Sequence, residues 1–243
     1  MPRKGVNGMK IAITGIDGRF VCLERQLQRK GHEIVKNGRA HLAIGTWPQK
    51  SAADADRIVA CGPNPAPTGV IDLLRDEEYQ KEIAAQTAEG ALCAAMNGAD
   101  FAIGDANCLI TGWGRIGQAL TRLLSCMGAR VTVLTRRDSV FGQIRQSGGH
   151  PADASAAASR IAGKRLIFAT TPQMILNREV LSRADRGALL LDLASAPHGA
   201  DIDAAAELGL NARREPGLPG RYCPESAARA ICDALERGGL LDE

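Results

Sequence analysis

The stretch from Cys108 to Arg137, CLITGWGRIGQALTRLLSCMGARVTVLTRR, leaves this chain few choices of fold. An apolar run, Cys108-Leu109-Ile110-Thr111, stops at Gly112-Trp113-Gly114-Arg115-Ile116-Gly117. Beyond it Leu120, Leu123, Leu124 and Met127 recur at three- and four-residue steps, the spacing of one buried helix face. Gly128 marks the helix stop, and Arg130 to Leu134 is a β-branched run that reads as a second strand. Strand, glycine turn, helix, strand is the context in which G-x-G-x-x-G carries meaning. Gly112 permits the tight turn, Gly114 lets a pyrophosphate approach the backbone, and Gly117 lets the helix pack closely on the strand. The unpaired N–H groups and positive dipole end of the helix then face the phosphates, so Trp113, Arg115 and Ile116 belong to the cradle as well. The stretch predicts a dinucleotide-binding domain of Rossmann type, a doubly wound parallel α/β sheet.

The end of the second strand selects the dinucleotide. In NAD sites a carboxylate about 20 residues beyond the glycines holds the ribose 2′-hydroxyl. This chain has Thr135-Arg136-Arg137 there. A carboxylate would repel a 2′-phosphate, whereas a hydroxyl and a guanidinium fork bind one through charge-assisted hydrogen bonds. NADP is therefore expected ahead of NAD, with Arg136 as first contact, Thr135 as helper and Arg137 beside them. The bland alternative is a pair of solvated arginines at a strand end.

At 243 residues the chain suits one large domain or two modest ones. It is 45% hydrophobic and 23% charged, ordinary for a soluble globular protein. A net charge of +3 without a basic block argues against nucleic acid, and 3% aromatics offers few stacking platforms for single strands. No stretch approaches membrane-spanning length and no apolar segment follows Met1-Pro2-Arg3-Lys4-Gly5, so the expectation is a cytoplasmic protein without membrane association. Seven cysteines without a C-x-x-C pair make a poor disulfide or zinc frame, and no metal site is expected. Most read as reduced, buried filler; Cys223, in a loop-like stretch, is the one to test for reactivity.

Ahead of the glycine turn, Lys10 to Gly15 reads as a strand, Asp17-Gly18-Arg19 as its turn, and Phe20, Leu23 and Leu27 as one face of a helix ending near Gly31. Short strands are expected at Glu33–Val35, His41–Gly45 and Arg57–Cys61 before Gly62-Pro63-Asn64-Pro65-Ala66-Pro67 breaks regular structure. This alternation suggests a second, smaller N-terminal α/β domain. A helix from Glu89 to Gly98 is expected to join the halves, and Thr87 and Glu89 are marked because such a helix borders the cleft between two domains. The expected division is residues 9–90 for the first domain and 91–223 for the second, with a final helix over 224–237 rejoining the first.

Further along, Arg165 to Ala169 and Ala188 to Leu193 read as buried strands leading to Thr170-Thr171-Pro172 and Ala194-Ser195-Ala196-Pro197-His198-Gly199. Pro216-Gly217-Leu218-Pro219-Gly220 reads as a rigid loop, and the last helix opens at Pro224. Strand-end loops of a doubly wound sheet converge on the cofactor crevice, so both loops are expected beside the nicotinamide. His198 is a candidate base because imidazole exchanges a proton near neutral pH, although a lone loop histidine is more often simply hydrogen-bonded. Asp192 is expected to organise its loop through hydrogen bonds rather than to do chemistry.

Several segments together resemble the A subunit of bacterial dipicolinate synthase. They are T-A-E-G-A at Thr87 to Ala91, G-x-G-R-x-G at Gly112 to Gly117, D-L-A-S-x-P-x-G at Asp192 to Gly199, and G-L-P-G-(K/R) at Gly217 to Arg221. The glycine turn is shared with many dehydrogenases; the D-L-A-S loop followed by G-L-P-G is far more particular. Near the N-terminus Asp17 and Arg19 fit the family's G-D-x-R-Q, with Ile16 in place of the glycine and Phe20 in place of the glutamine. The resemblance implies oxidation of dihydrodipicolinate, or a related early lysine-pathway intermediate, to dipicolinate with NADP as acceptor. It further implies a partner, a flavoprotein-like B subunit, and a role in sporulation. For such a dicarboxylate substrate, Arg19 and Arg221 become candidate carboxylate clamps. Ser195 and His198 would position or deprotonate it, Thr171 would contact nicotinamide or substrate, and Glu89 joins the catalytic candidates.

Two other readings stand beside this one. A 2-hydroxyacid dehydrogenase would want an Arg and a His–acid pair; His150 and His198 show no helix-borne carboxylate partner. A catalytically degenerate dinucleotide-binding protein would account for the altered segment around Ile16 and Phe20. A homo-oligomer is expected, since the apolar face of a linker helix commonly meets a second copy.

Overall fold

Every strand register among the described residues is parallel, and the strands fall into two separate sheets. The computed structural model describes residues 8–48 and 54–242. The chain divides into two units, one of residues 1–86 with 219–243, the other of residues 87–218.

The first unit opens with β1 (Lys10–Ile13), α1 (Gly18–Arg29), β2 (Glu33–Val35), β3 (Ala40–Trp47), β4 (Ala55–Pro63) and β5 (Ile71–Asp72), in the order β2-β1-β3-β4-β5. α2 (Glu77–Gly98) then runs from this unit into the next. It begins twelve residues before the expected Glu89, because the Asp76 carboxylate accepts the Tyr79 N–H at 3.0 Å and caps the first turn. α1 is capped in the same way by Asp17, whose Oδ1 accepts the Arg19 N–H at 3.1 Å. Its Phe20, Leu23 and Leu27 enter a core shared with Ile11, Leu42, Ile44, Val59 and Tyr79. That core is closed by the alanine-rich face of the last helix, α9 (Pro224–Arg237), through Ala228, Ile231 and Leu235. Small side chains let α9 approach α1 closely, and Lys30–Glu236 and Gln26 to the Glu225 carbonyl tie the pair at the surface.

Tyr79 is fully buried, and its hydroxyl donates to the Cys61 carbonyl at 3.0 Å. Removing that donor strands a buried carbonyl, so Tyr79→Phe is expected to cost about 1–3 kcal/mol in a denaturant melt. A variant as stable as the parent would mean that water takes the hydroxyl's place.

The second unit contains β6 (Asn107–Thr111), α3 (Arg115–Cys126), β7 (Arg130–Thr135), α4 (Phe141–Gln146), β8 (Gly149–Asp153), α5 (Ala157–Arg160), β9 (Leu166–Ala169), α6 (Arg178–Leu181), β10 (Leu189–Asp192), α7 (Ile202–Glu207) and β11 (Asn211–Arg214). α8 (Leu218–Tyr222) and α9 follow, returning the chain to the first unit. The second sheet runs β11-β10-β9-β6-β7-β8, two βαβ halves wound outward from the central β6–β9 pair. β9 and β10 are buried throughout, as parallel strands covered on both faces must be, which is why they are continuous apolar runs.

The edges differ from expectation. The alanine- and serine-rich residues 152–162 read from sequence as a helix or a loop, yet they begin with the end of β8, whose GHPAD carries a proline tolerated at an edge; β11 reads NARR. The expected rigid loop at Pro216–Gly220 instead enters α8, since Pro219 can occupy the first turn of a helix.

Candidate functional site

The C-terminal ends of β6, β7 and β9 meet at the point where the sheet winds in opposite directions, and a cleft of about 290 Å3 opens there. Its walls are Gly112–Gly114, Leu134–Arg137, Ala154, Thr170–Gln173 and Ile175. The glycines carry the geometry. Gly112 has φ +99°, and a Cβ there would lie 3.2 Å from both Thr170 Oγ1 and Thr171 Cβ. Gly117 sits in the first turn of α3, where a Cβ would press into the Gly112 carbonyl. Gly114 caps α3, and a Cβ on it would meet nothing within 4 Å. That open space before a helix start is what a pyrophosphate needs, so the residues fit a dinucleotide. Arg115, Ile116 and Gly117 do not line the cleft; they build the helical turn beneath it.

Around this turn the two arginines divide. The Arg137 guanidinium donates to the Trp113 carbonyl at 2.9 Å, and its backbone N–H donates to Thr135 Oγ1 at 3.2 Å. Trp113 is itself buried, its indole N–H reaching Gln143 Oε1 at 3.3 Å. Arg137 thus clips the end of β7 to the glycine turn. Arg136 lines the same cleft, is exposed, and has no hydrogen bond or ion pair among the described residues. Thr135 is buried at the strand end. At the end of neighbouring β8, hydrogen bonds from Ser155 hold the Asp153 carboxyl below its ordinary range.

On the opposite wall, Thr170 Oγ1 donates to the Thr111 carbonyl at 2.7 Å, locking β9 to β6 at the mouth of the cleft. Thr171 and Pro172 follow it along the wall. The loop after β10 lies against this wall through Gly199, where a Cβ would come 2.6 Å from the Thr171 carbonyl oxygen. Ser195 is exposed on that loop, and His198 is partly exposed with φ +74°. Neither lines the cleft itself. Asp192 is buried at the end of β10; its Oδ1 accepts the Ala194 N–H at 3.0 Å, and its Oδ2 accepts those of Gly199 and Ala200 at 3.3 and 3.4 Å.

The remaining candidates lie elsewhere. Glu89 is on an exposed position of α2, with Thr87 half-buried two residues earlier. In the first unit the Arg19 guanidinium is buried, paired with Asp17 at 2.9 Å and stacked 5.1 Å from the Phe20 ring centroid. Burial opposes its charge, and the Asp17 carboxylate more than restores it, so its pKa rises. Arg221, exposed on α8, lies over the Tyr222 ring at 5.2 Å. Cys223 is half-buried, its thiol 3.9 Å from the Gln86 carbonyl. No cluster of metal-ligating side chains occurs among the described residues, and no helix there is long and apolar enough to cross a membrane. Ala154, Gln173 and Ile175 line the cleft without having been marked from sequence. Ala154 depends on the hidden strand β8, while Gln173 and Ile175 simply continue the Thr170–Pro172 loop.

A doubly wound sheet with this glycine turn at its switch point defines a protein with a nicotinamide-dinucleotide-binding domain and a dehydrogenase-type fold. Residues 101–202 match a family model described as "Putative NAD(P)-binding". The particular protein that the chain resembles is the A subunit of dipicolinate synthase. It is 32% identical to the Bacillus subtilis protein of that name over 151 residues, 62% of this chain and 51% of that one. The matched stretch therefore spans about half the length of that curated relative. The crystal structure of the dipicolinate synthase A subunit from Bacillus halodurans superposes with a TM-score of 0.81 at 23% identity, covering 98% of this chain and 100% of that one. D-lactate dehydrogenase from Salmonella shares the fold more distantly, with a TM-score of 0.65 at 14% identity, over 94% of this chain and 95% of that one.

Proposed function

We propose that this chain is an NADP-dependent oxidoreductase that converts dihydrodipicolinate, or a closely related early intermediate of the lysine route, to dipicolinate. The observation that carries the cofactor half is Arg136, an uncommitted guanidinium on the cleft where NAD-binding folds place a carboxylate. The substrate half rests on the likeness to the A subunit of dipicolinate synthase.

When bound, the nicotinamide supplies the acceptor for one hydride. The chain's own residues supply the rest. The open turn at Gly114 and the α3 N-terminus hold the pyrophosphate, and Arg137 keeps that turn fixed to β7. Aromatisation of the ring also releases a proton, which passes to the imidazole of His198. Ser195 on the same loop would orient the substrate, and Thr171 would contact nicotinamide or substrate. Arg19, already neutralised by Asp17, keeps its part by holding the turn at the start of α1. Self-association and a flavoprotein-like B subunit complete the proposed assembly, which acts in the cytoplasm during spore formation.

Arg136→Ala removes a charge-assisted contact worth about 1.5–3 kcal/mol. The NADP-to-NAD affinity ratio is expected to fall about 10- to 100-fold, read from Trp113 quenching in a Trp47→Phe background. An unchanged ratio removes Arg136 from the site. For the reaction, aspartate semialdehyde, pyruvate and the upstream dihydrodipicolinate-forming enzyme are combined with NADP or NAD and this chain, with and without the B subunit. Dipicolinate that forms only with the chain present supports the proposal. Protein that binds NADP yet yields no dipicolinate in any combination overturns it, and hydroxyacids are then screened.

A further inference from the structure

We infer that Asp192 is a positioning residue that fixes the tautomer of His198, with the proton on Nδ1 and the free lone pair on Nε2. The inference deepens the proposed function, since it names the atom of His198 that would take the substrate's proton.

Three observations carry it. The first is the ring's own contact: His198 Nδ1 lies 3.1 Å from the Ala194 carbonyl oxygen. A carbonyl only accepts, so this contact places the hydrogen on Nδ1. The second is Asp192. Its Oδ2 lies 3.9 Å from the same Nδ1, so its charge favours a proton there and disfavours a lone pair. A buried carboxylate selects a histidine tautomer in this way in other enzymes.

The third is the loop's backbone. Asp192 accepts N–H bonds from Ala194 on one side of the histidine and from Gly199 and Ala200 on the other. Between those anchors His198 is held at φ +74°, and its N–H donates to the Ser195 carbonyl at 2.9 Å. A non-glycine residue there is uncommon, and its neighbours must hold it. A side chain meant only for solvent would not need a buried carboxylate bonded to three amides around it. The chain uses Asp192 to aim the ring, not to exchange protons with substrate, because the carboxylate is buried and its oxygens are spent on backbone.

The test is nitrogen-15 NMR of the four histidines in the cofactor-free protein, at a pH where imidazoles are neutral, with His198 assigned by its loss in His198→Gln. The expected spectrum shows His198 protonated on Nδ1, the minor form of a free histidine side chain. In Asp192→Asn the amide nitrogen would face two N–H donors, and His198 is expected to move to the Nε2–H form or a mixture. NADP quenching of Trp113 should change less than about threefold, which separates loop aiming from general unfolding. Wild-type protein with His198 protonated on Nε2 overturns the inference, whatever the variant does. So does a folded Asp192→Asn that keeps the Nδ1–H form. If that variant does not fold, slow exchange of the wild-type His198 Nδ1 proton supports the inference and fast exchange overturns it. A correct tautomer in a protein whose His198→Gln variant turns over normally would leave this geometry standing and remove His198 from the reaction.

Discussion

Gly117→Ala is expected to lose both stability and dinucleotide affinity, whereas Gly114→Ala should lose affinity alone. A Cβ at Gly117 would drive into the Gly112 carbonyl, and its other near neighbour is Thr170 Oγ1 at 3.4 Å. The obstacle is backbone, so relief requires α3 to move away from the turn or the turn to open. Overpacking of this kind costs about 1–3 kcal/mol, over most of that range more than the roughly 0.8–1 kcal/mol that alanine returns through helix propensity. A melting temperature lower by several degrees follows for a unit of this size, at roughly 4 °C per kcal/mol, between the values for smaller and larger domains. Displacing the turn also removes at least one N–H bond to a phosphate, worth about 1.5–3 kcal/mol, so NADP should bind at least tenfold more weakly. Gly114 provides the contrast. It has φ −86° and open space at its Cβ, so alanine there leaves the fold intact. The methyl group instead occupies the approach of the pyrophosphate. Equal melting temperatures for Gly117→Ala and the parent would show that the turn is softer than its packing implies.

His198→Gln should lower kcat for dipicolinate formation by about 10²–10⁴-fold, the usual contribution of a positioned general base. NADP affinity should hardly move, because His198 does not line the dinucleotide cleft. Glutamine retains a hydrogen-bonding amide of similar reach while losing the ability to take a proton. The measurement is steady-state reduction of NADP with the upstream enzyme in excess to supply substrate, followed by the nicotinamide absorbance. A kcat within a few-fold of the parent would assign proton removal to another group or to water. A variant weakened in NADP binding to the same degree as in turnover would instead indicate a collapsed loop.

Much of this was legible in the sequence because burial writes itself into composition. β9 and β10 are covered on both faces, so LIFA and LLLD could be recognised as strands without any context. The edges carry no such signal. GHPAD and NARR become strands only because β7 and β10 offer them hydrogen-bonding partners, a property of the neighbours and not of the segments. The start of α2 was hidden for a related reason. Its capping carboxylate, Asp76, follows a short 3-10 turn at Leu73–Arg75 in a polar stretch where hydrophobic periodicity is weak. At the site, G-x-G-x-x-G, the arginine pair and Thr170–Pro172 all sit around one cleft. The letters put Arg136 first but gave Arg137 no role of its own. One guanidinium is spent on the Trp113 carbonyl and the other is not, and the direction of a side chain after a strand end depends on the turn it faces. The same holds for His198, whose carboxylate neighbour comes from a strand end six residues earlier and not from a helix.

The first unit is assembled from both ends of the chain, with α1 and the five-stranded sheet closed by a helix that begins only at Pro224. During synthesis the N-terminal strands leave the ribosome long before that helix exists. Phe20, Leu23 and Leu27 must wait with part of their apolar surface uncovered while residues 87–218 emerge. The dinucleotide-binding unit is thus contiguous and made early, and the N-terminal sheet is finished last. A ribosome that stalls or terminates near residue 219 would release a chain whose second unit is complete but whose first exposes the seat of α9. Quality control would meet that species as a sticky half-protein, and its danger lies in the order of manufacture, not in any weakness of the finished fold.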